Sequence, residues 1–225
     1  VAPSALGYFL ALRSPALRRM RELNRAADAA KLARRRYAEA VRTNNRAALA
    51  TNGLFYLAVL PFSITLDARP LWRNAIDVVA VLMVFDFLYY LVHRFLFHGR
   101  ALRRMHALHH QARTPTYVDG LYVHPVETSI GLLLFLGSIP LVAAVAGGPL
   151  NAVAMAVATL VFTQQNAINH AFLDLHEFPF RTLDRITALH AAHHVDMNRG
   201  NFATLTMLYD RLFGTLEAPV HRSTP

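Results

Sequence analysis

Twelve histidines and no cysteine occur in this 225-residue chain, and the spacing of the histidines points to metal binding. His93 and His98 stand five residues apart. His106, His109 and His110 form a His-x2-His-His box, which His190, His193 and His194 repeat. His124 precedes Pro125, and His170 follows Asn169. On a helix, positions i, i+3 and i+4 share a face, so each box can aim three imidazoles at one volume. Two such tripods, supplemented by histidines from other helix ends, can hold two metals. A lone histidine is ordinarily a surface residue or a satisfied core residue. A repeated box is harder to explain as packing, because each buried ring carries two polar nitrogens that need partners.

Imidazole alone leaves the metal open, since iron, copper, nickel and zinc all accept it. Without cysteine the chain makes no disulfide, thiolate zinc site or iron-sulfur cluster of its own. No Glu has a His three residues later, which disfavours the soluble Glu-x-x-His di-iron bundles. Haem ligation calls for single facing histidines at membrane depth, whereas these cluster in triplets where helices end. Three polar residues are candidates for contacts behind the ligands. Asp86 lies two helical turns before His93, placed to support a ligand ring directly or through Tyr89 and Tyr90, with a hydrogen bond between helices as its alternative. Asn166, one turn before His170, and Asn169 complete the set, with Gln164 and Gln165 extending a polar floor. Asp77 has no evident partner.

The elements that must position these side chains are apolar. With 54% hydrophobic and 16% charged residues, the chain is oilier than most soluble domains of its size. Four stretches approach the ~20 apolar residues that cross a bilayer: 47–66, 71–92, 128–146 and 149–168. Asp67-Ala68-Arg69-Pro70 joins the first pair and Gly147-Gly148-Pro149 the second, so each pair reads as a helical hairpin. The expectation is an all-α integral membrane protein with a four-helix, two-hairpin base and a cytoplasmic helical cap. Its single domain divides into a basic amphipathic region 1–46, a first hairpin 47–92, a His-rich segment 93–127, a second hairpin 128–168 and a His-rich segment 169–225. Within the first region, Ser14-Pro15 opens a helix expected to reach Arg42, lying on the membrane surface or packed on the cap.

Of the 23 Lys and Arg, only Arg69 and Arg73 sit at the hairpin turns, so the positive-inside rule places both termini and the 93–127 segment in the cytoplasm of a multi-pass protein. Orientation and anionic membrane lipid account for the net charge of +9 better than nucleic acid does, and no nucleic-acid partner is expected. Residues 1–12 lack the length and flanks of a signal peptide.

From about Asp86 to Thr215 the residues resemble the fatty acid hydroxylase and sterol desaturase superfamily of membrane-bound, histidine-box di-iron oxygenases. The likeness rests on Asp86 to Tyr90 with His93-Arg94-x3-His98, both boxes, Val123-His124-Pro125-Val126-Glu127, Asn169-His170, and Asp210-Arg211-Leu212-Phe213-Gly214-Thr215. The His-Pro-x-Glu element is most similar to the 4-methylsterol oxidase and related bacterial branches. Tyr209 and Phe202 depart from the Trp and Tyr common at those places. The resemblance implies two iron ions, with zinc as a possible substitute, held by His93, His98, His106, His109, His110, His124, His170, His190, His193 and His194. His176 and His221 fall outside the pattern. It implies dioxygen, a hydrophobic lipid substrate, and hydroxylation or desaturation of an unactivated C–H bond. The chain shows no flavin, haem or iron-sulfur motif, so electrons come from an external ferredoxin or b-type cytochrome docking on the Arg-rich face. A membrane zinc hydrolase and a non-oxidative metal-binding membrane protein remain the alternatives.

Overall fold

The computed structural model of the chain describes residues 13–220 and 224–225. The expectations on a leader in residues 1–12 and on His221 lie outside those residues. The described chain is mostly helical, and its only pairing of strands is two residues long.

Helix α1 (Pro15–Leu32) starts as its sequence requires, with the Ser14 hydroxyl accepting from Leu17 N–H and proline at the first helical position. It ends ten residues before Arg42. A break at Ala33 and Arg34 separates it from α2 (Arg35–Ala58), which runs straight through the expected boundary at residue 47. No breaker residue marks that bend; tertiary contacts hold it. Lys31 pairs with Asp119 on one side of the break, and Tyr37 OH donates to the same carboxylate at 2.7 Å on the other. Asn24, fully buried in α1, exchanges two hydrogen bonds with the Phe172 backbone, and Asn44 in α2 donates to Leu121 O. Both basic helices therefore pack on the histidine-bearing segments.

The first expected apolar stretch is interrupted, because Pro61 lacks an N–H to continue a helix. A short α3 (Leu60–Ser63) and strand β1 (Ile64–Thr65) follow α2 instead. Helix α4 (Leu71–Val92) continues into a π-helical turn (His93–Phe97), and α5 (Arg103–His106) follows. Two 3-10 turns (His109–Gln111 and Tyr117–Leu121) lead to α6 (Pro125–Val145), strand β2 (Leu150–Asn151), α7 (Ala152–Asn169), α8 (Arg181–Val195) and α9 (Leu208–Leu212).

Phe55 of α2, Val81 and Phe85 of α4, Phe135 and Ile139 of α6, and Ala158 of α7 share one apolar core. The turn after α3 and the turn before α7 meet at one end of these helices. There β1 pairs in parallel with β2, Arg69 donates to Pro149 O at 2.6 Å, and Asn151 donates to Asp67 O at 2.7 Å. Asp77, for which the sequence offered no partner, pairs there with Arg69 and Arg73. The opposite ends of α4, α6 and α7 are where His93, His124 and His170 lie.

Among the described residues, two helical segments, Leu71–Phe97 and Pro125–Val145, are long and apolar enough to cross a bilayer. Only 28% and 33% of their most apolar windows are buried, so most of that surface faces outward, unlike the core helix of a soluble protein.

Candidate metal centre

Chain geometry at the helix ends gathers nine histidines into two groups. His93, His98, His106, His110 and His193 form one; His109, His170, His190 and His194 form the other. Every one of these side chains is buried except His98, which is half-buried. In the first group, His106 Nε2 stands 3.1 Å from His93 Nε2 and 3.0 Å from those of His98 and His110. His193 Nε2 closes the set at 3.1 Å from His93 and 3.2 Å from His98. In the second group, His170 Nε2 lies 3.1 Å from His109 and 3.0 Å from His190, which is 3.1 Å from His194.

The π-helical turn explains how His93 and His98 share a group. On a regular α-helix, residues five apart point in divergent directions. The wider turn, closed by His98 N–H donating to His93 O at 2.9 Å, brings their ring centroids to 5.0 Å. Gly99 lets the chain leave that turn, since a Cβ there would sit 1.8 Å from Phe95 O.

The boxes are divided between the groups rather than forming one tripod each. His106 and His110 enter the first group and His109 the second; His190 and His194 enter the second and His193 the first. Positions i+3 and i+4 sit on opposite sides of position i around a helix. One box thus contributes to two neighbouring volumes. The first box is also not one regular helix, because α5 ends at His106 and a 3-10 turn begins at His109.

His124 is in neither group. Its Nδ1 caps α6, accepting from Val126 N–H at 3.3 Å. Asp86 touches no histidine in the described structure; its carboxylate accepts from Thr204, Leu205 and Thr206. This is a structural bond between elements, the alternative the sequence allowed. Asn166 contributes its backbone carbonyl, which accepts from His170 Nδ1 at 2.9 Å, and Asn169 donates its amide to Thr204 O. His176 sits apart, exposed between Asp174 and Asp184.

The outer nitrogens state which tautomer each ring holds. In the first group, Nδ1 donates to Phe202 O from His93 (2.7 Å), to Met197 O from His98 (2.7 Å), to Gly200 O from His193 (2.8 Å) and to Glu127 Oε1 from His106 (2.8 Å). With the proton on Nδ1, each Nε2 presents a bare lone pair. Among His93, His98, His106 and His193 these lone pairs face one another at 3.0–3.2 Å and repel, and a cation among them removes the repulsion. The donor set of the first group therefore fits a metal ion, and in the second His109 and His170, whose Nδ1 atoms face the Tyr122 and Asn166 carbonyls, bring their Nε2 atoms together in the same way at 3.1 Å. Burial reinforces this by opposing protonation. It pushes His98 down to about 4, and His106 and His109 down to about 3, while His190, His193 and His194 also fall well below the ordinary histidine value.

Glu127 was missed as a supporting residue, although the His124-Pro125-Val126-Glu127 element carried it. The carbonyls of Met197, Gly200 and Phe202 had no signal at all, because backbone acceptors leave no mark in residue type.

A family model described as fatty acid hydroxylase matches residues 78–215, which include all nine gathered histidines. Methylsterol monooxygenase 1 of Gallus gallus is 31% identical over 137 residues, covering 58% of this chain and 42% of that protein. Ornithine lipid hydroxylase OlsE of Rhizobium tropici is 27% identical over 156 residues, covering 68% and 45%. Protein CER1-like 2 of Arabidopsis thaliana is 29% identical over 158 residues, covering 66% and 25%. The chain thus spans between a quarter and just under half of these relatives. No solved structure matches it.

Proposed function

The chain belongs to the fatty acid hydroxylase family, and from that premise we propose that it is a membrane-embedded oxygenase that holds two irons and uses dioxygen to hydroxylate or desaturate a lipid. The observation that carries this reading is the pair of adjacent, buried groups of Nε2 lone pairs.

His93, His98, His106, His110 and His193 would hold one ion, and His109, His170, His190 and His194 the other, with His124 left as a helix cap. A five-histidine group offers more donors than four-coordinate zinc takes, which favours iron. The chemistry such a pair supplies is reductive activation of dioxygen. The chain's own residues hold the imidazoles neutral and oriented, and the apolar helices exclude water from the site.

Hydroxylation consumes one dioxygen, two electrons and two protons, placing one oxygen in a C–H bond and releasing one water. Desaturation consumes the same and releases two waters. The electrons come from an external ferredoxin or small b-type cytochrome. The two hairpins form a four-helix membrane base, α2 and α4 with α6 and α7, and the histidine groups face the cytoplasm with both termini under the positive-inside rule. An apolar groove of about 490 Å³ between α3, α6 and α7, lined by Leu60, Leu136, Ile139 and Met155, starts at the β1–β2 end of the helices and runs along α7 to Thr163, and it suits a hydrocarbon chain. The relatives' names, a methylsterol monooxygenase and an ornithine lipid hydroxylase among them, support a lipid substrate.

Metal analysis after anaerobic purification, with mass spectrometry of lipid extracts from cells with and without the protein, tests the proposal. Two irons per chain and a lipid that gains one oxygen or loses two hydrogens are expected. Zinc alone, with hydrolysed lipid, would overturn it.

A further inference from the structure

Between α8 and α9 the chain from 197 to 206 has no regular structure, yet it carries three of the acceptors behind the five-histidine group. Met197 O, Gly200 O and Phe202 O receive the Nδ1 protons of His98, His193 and His93. The rings of the four-histidine group find their acceptors elsewhere, and the strap meets that group only where Asn169, beside His170, donates to Thr204 O. His170 donates to Asn166 O, and His109 Nδ1 approaches Tyr122 O at 3.4 Å.

Two fully buried carboxylates hold this strap in place. Asp86 accepts from the N–H groups of Thr204 (3.0 Å), Leu205 (2.9 Å) and Thr206 (3.1 Å), and from Thr206 Oγ1 (2.8 Å). Asp210 accepts from the N–H groups of Phe202 and Ala203, both at 2.8 Å, and from Thr215 Oγ1 at 2.7 Å. Burying a carboxylate is costly unless it is densely hydrogen-bonded, and here every one of those bonds fixes the strap or its flank. The backbone between them is equally constrained. Asn201 adopts φ 62° and donates to Leu189 O at 3.0 Å, while a Cβ on Gly200 would sit 1.9 Å from Thr215 O.

We propose that Asp86 and Asp210 are positioning residues for one ion of the pair. By locking the strap they set the carbonyls that orient His93, His98 and His193, and so govern retention of the ion in the five-histidine group far more than that of its neighbour, which meets the strap only through Asn169. This rests on the two-ion reading above. It makes the ions inequivalent: one is fixed through a loop that two carboxylates hold, the other through helix α7 and the 117–122 turn.

The test is iron release to a chelator from the iron-loaded, detergent-solubilised protein, followed with Mössbauer spectra of the iron that stays. Asp86→Asn and Asp210→Asn are each expected to release one iron per chain about 10–100-fold faster than the parent protein, with the second iron accelerated much less, and least in Asp210→Asn, whose carboxylate does not hold Thr204. Thr206→Val and Thr215→Val each delete a single hydrogen bond to a carboxylate and should speed release of the same iron by a smaller factor. These milder variants decide the matter if the aspartate variants do not fold. Equal acceleration of both irons, or of neither, overturns the proposal. A parent protein that never holds two irons defeats the two-ion reading instead, and is recognised before any variant is made.

Discussion

His106 donates its Nδ1 hydrogen to Glu127 Oε1 at 2.8 Å, and both side chains are buried. The contact joins the end of α5 to the first turn of α6, at the hub of the five-histidine group, since His106 Nε2 is within 3.1 Å of three other histidine nitrogens. A carboxylate behind an imidazole makes its far nitrogen a stronger donor and fixes the ring's plane.

Removing that carboxylate should therefore weaken metal binding without touching a proposed ligand. Glu127→Ala is expected to lower iron affinity about 10–100-fold, while Glu127→Gln, which keeps an acceptor oxygen, should lose less. Competitive chelator titration of the two variants measures this. Equal affinities for both variants and the parent would show that the contact is incidental.

Histidines 124 and 193 separate helix capping from ligation. His193→Ala removes a donor from a buried group and should cost one of the two irons. His124→Ala should leave the iron content at the parent level and cost only a helix cap, about 0.5–2 kcal/mol of stability. Iron loss from His124→Ala matching that from His193→Ala would restore His124 to the ligand set.

Residue type carried much of this arrangement, and backbone geometry carried the rest. The boxes, His170 and the two turns at 67–70 and 147–149 were legible because imidazole clusters and Pro/Gly pairs are chemically distinctive. That His93 joins His98 was not, because it depends on a π-helical turn that the residues do not announce. The division of each box between two groups was equally hidden, since i, i+3 and i+4 spacing fits one shared volume or two adjacent ones. Asp86 was noticed for its place two turns before His93, but its partners are backbone amides 118 to 120 residues away. The bend at Ala33 escaped notice because Lys31, Tyr37 and Asp119 impose it from outside the helix.

Acid should destabilise the metal-free protein. Burial holds His98 at about 4 and His106 and His109 at about 3, below the ordinary value near 6.5 that applies in the unfolded chain. Between those limits the unfolded chain binds more protons, so stability falls as pH drops from about 6.5 towards 4. Thermal unfolding of the metal-free protein at pH 7.5 and pH 5 should show a lower midpoint at pH 5. An unchanged midpoint would mean that the rings are more hydrated than their burial implies.

The 117–121 turn offers a way to disturb the four-histidine group alone. Gly120 packs against His170, and a Cβ there would lie 3.1 Å from His170 Nδ1, a gap that alanine barely fits and valine does not. The ring cannot easily retreat, because its Nδ1 is bound to Asn166 O and its Nε2 lies among His109 and His190. The turn cannot easily lift either, held by the Asp119 capping box and by Lys31 and Tyr37 from the basic helices. Gly120→Val should therefore displace His170 and release one iron about tenfold faster or more, from the group whose rings find no acceptor on the 197–206 strap. Combined with Asp210→Asn, it should make both irons labile. If the double variant loses iron no faster than either single variant, the two groups share one support after all.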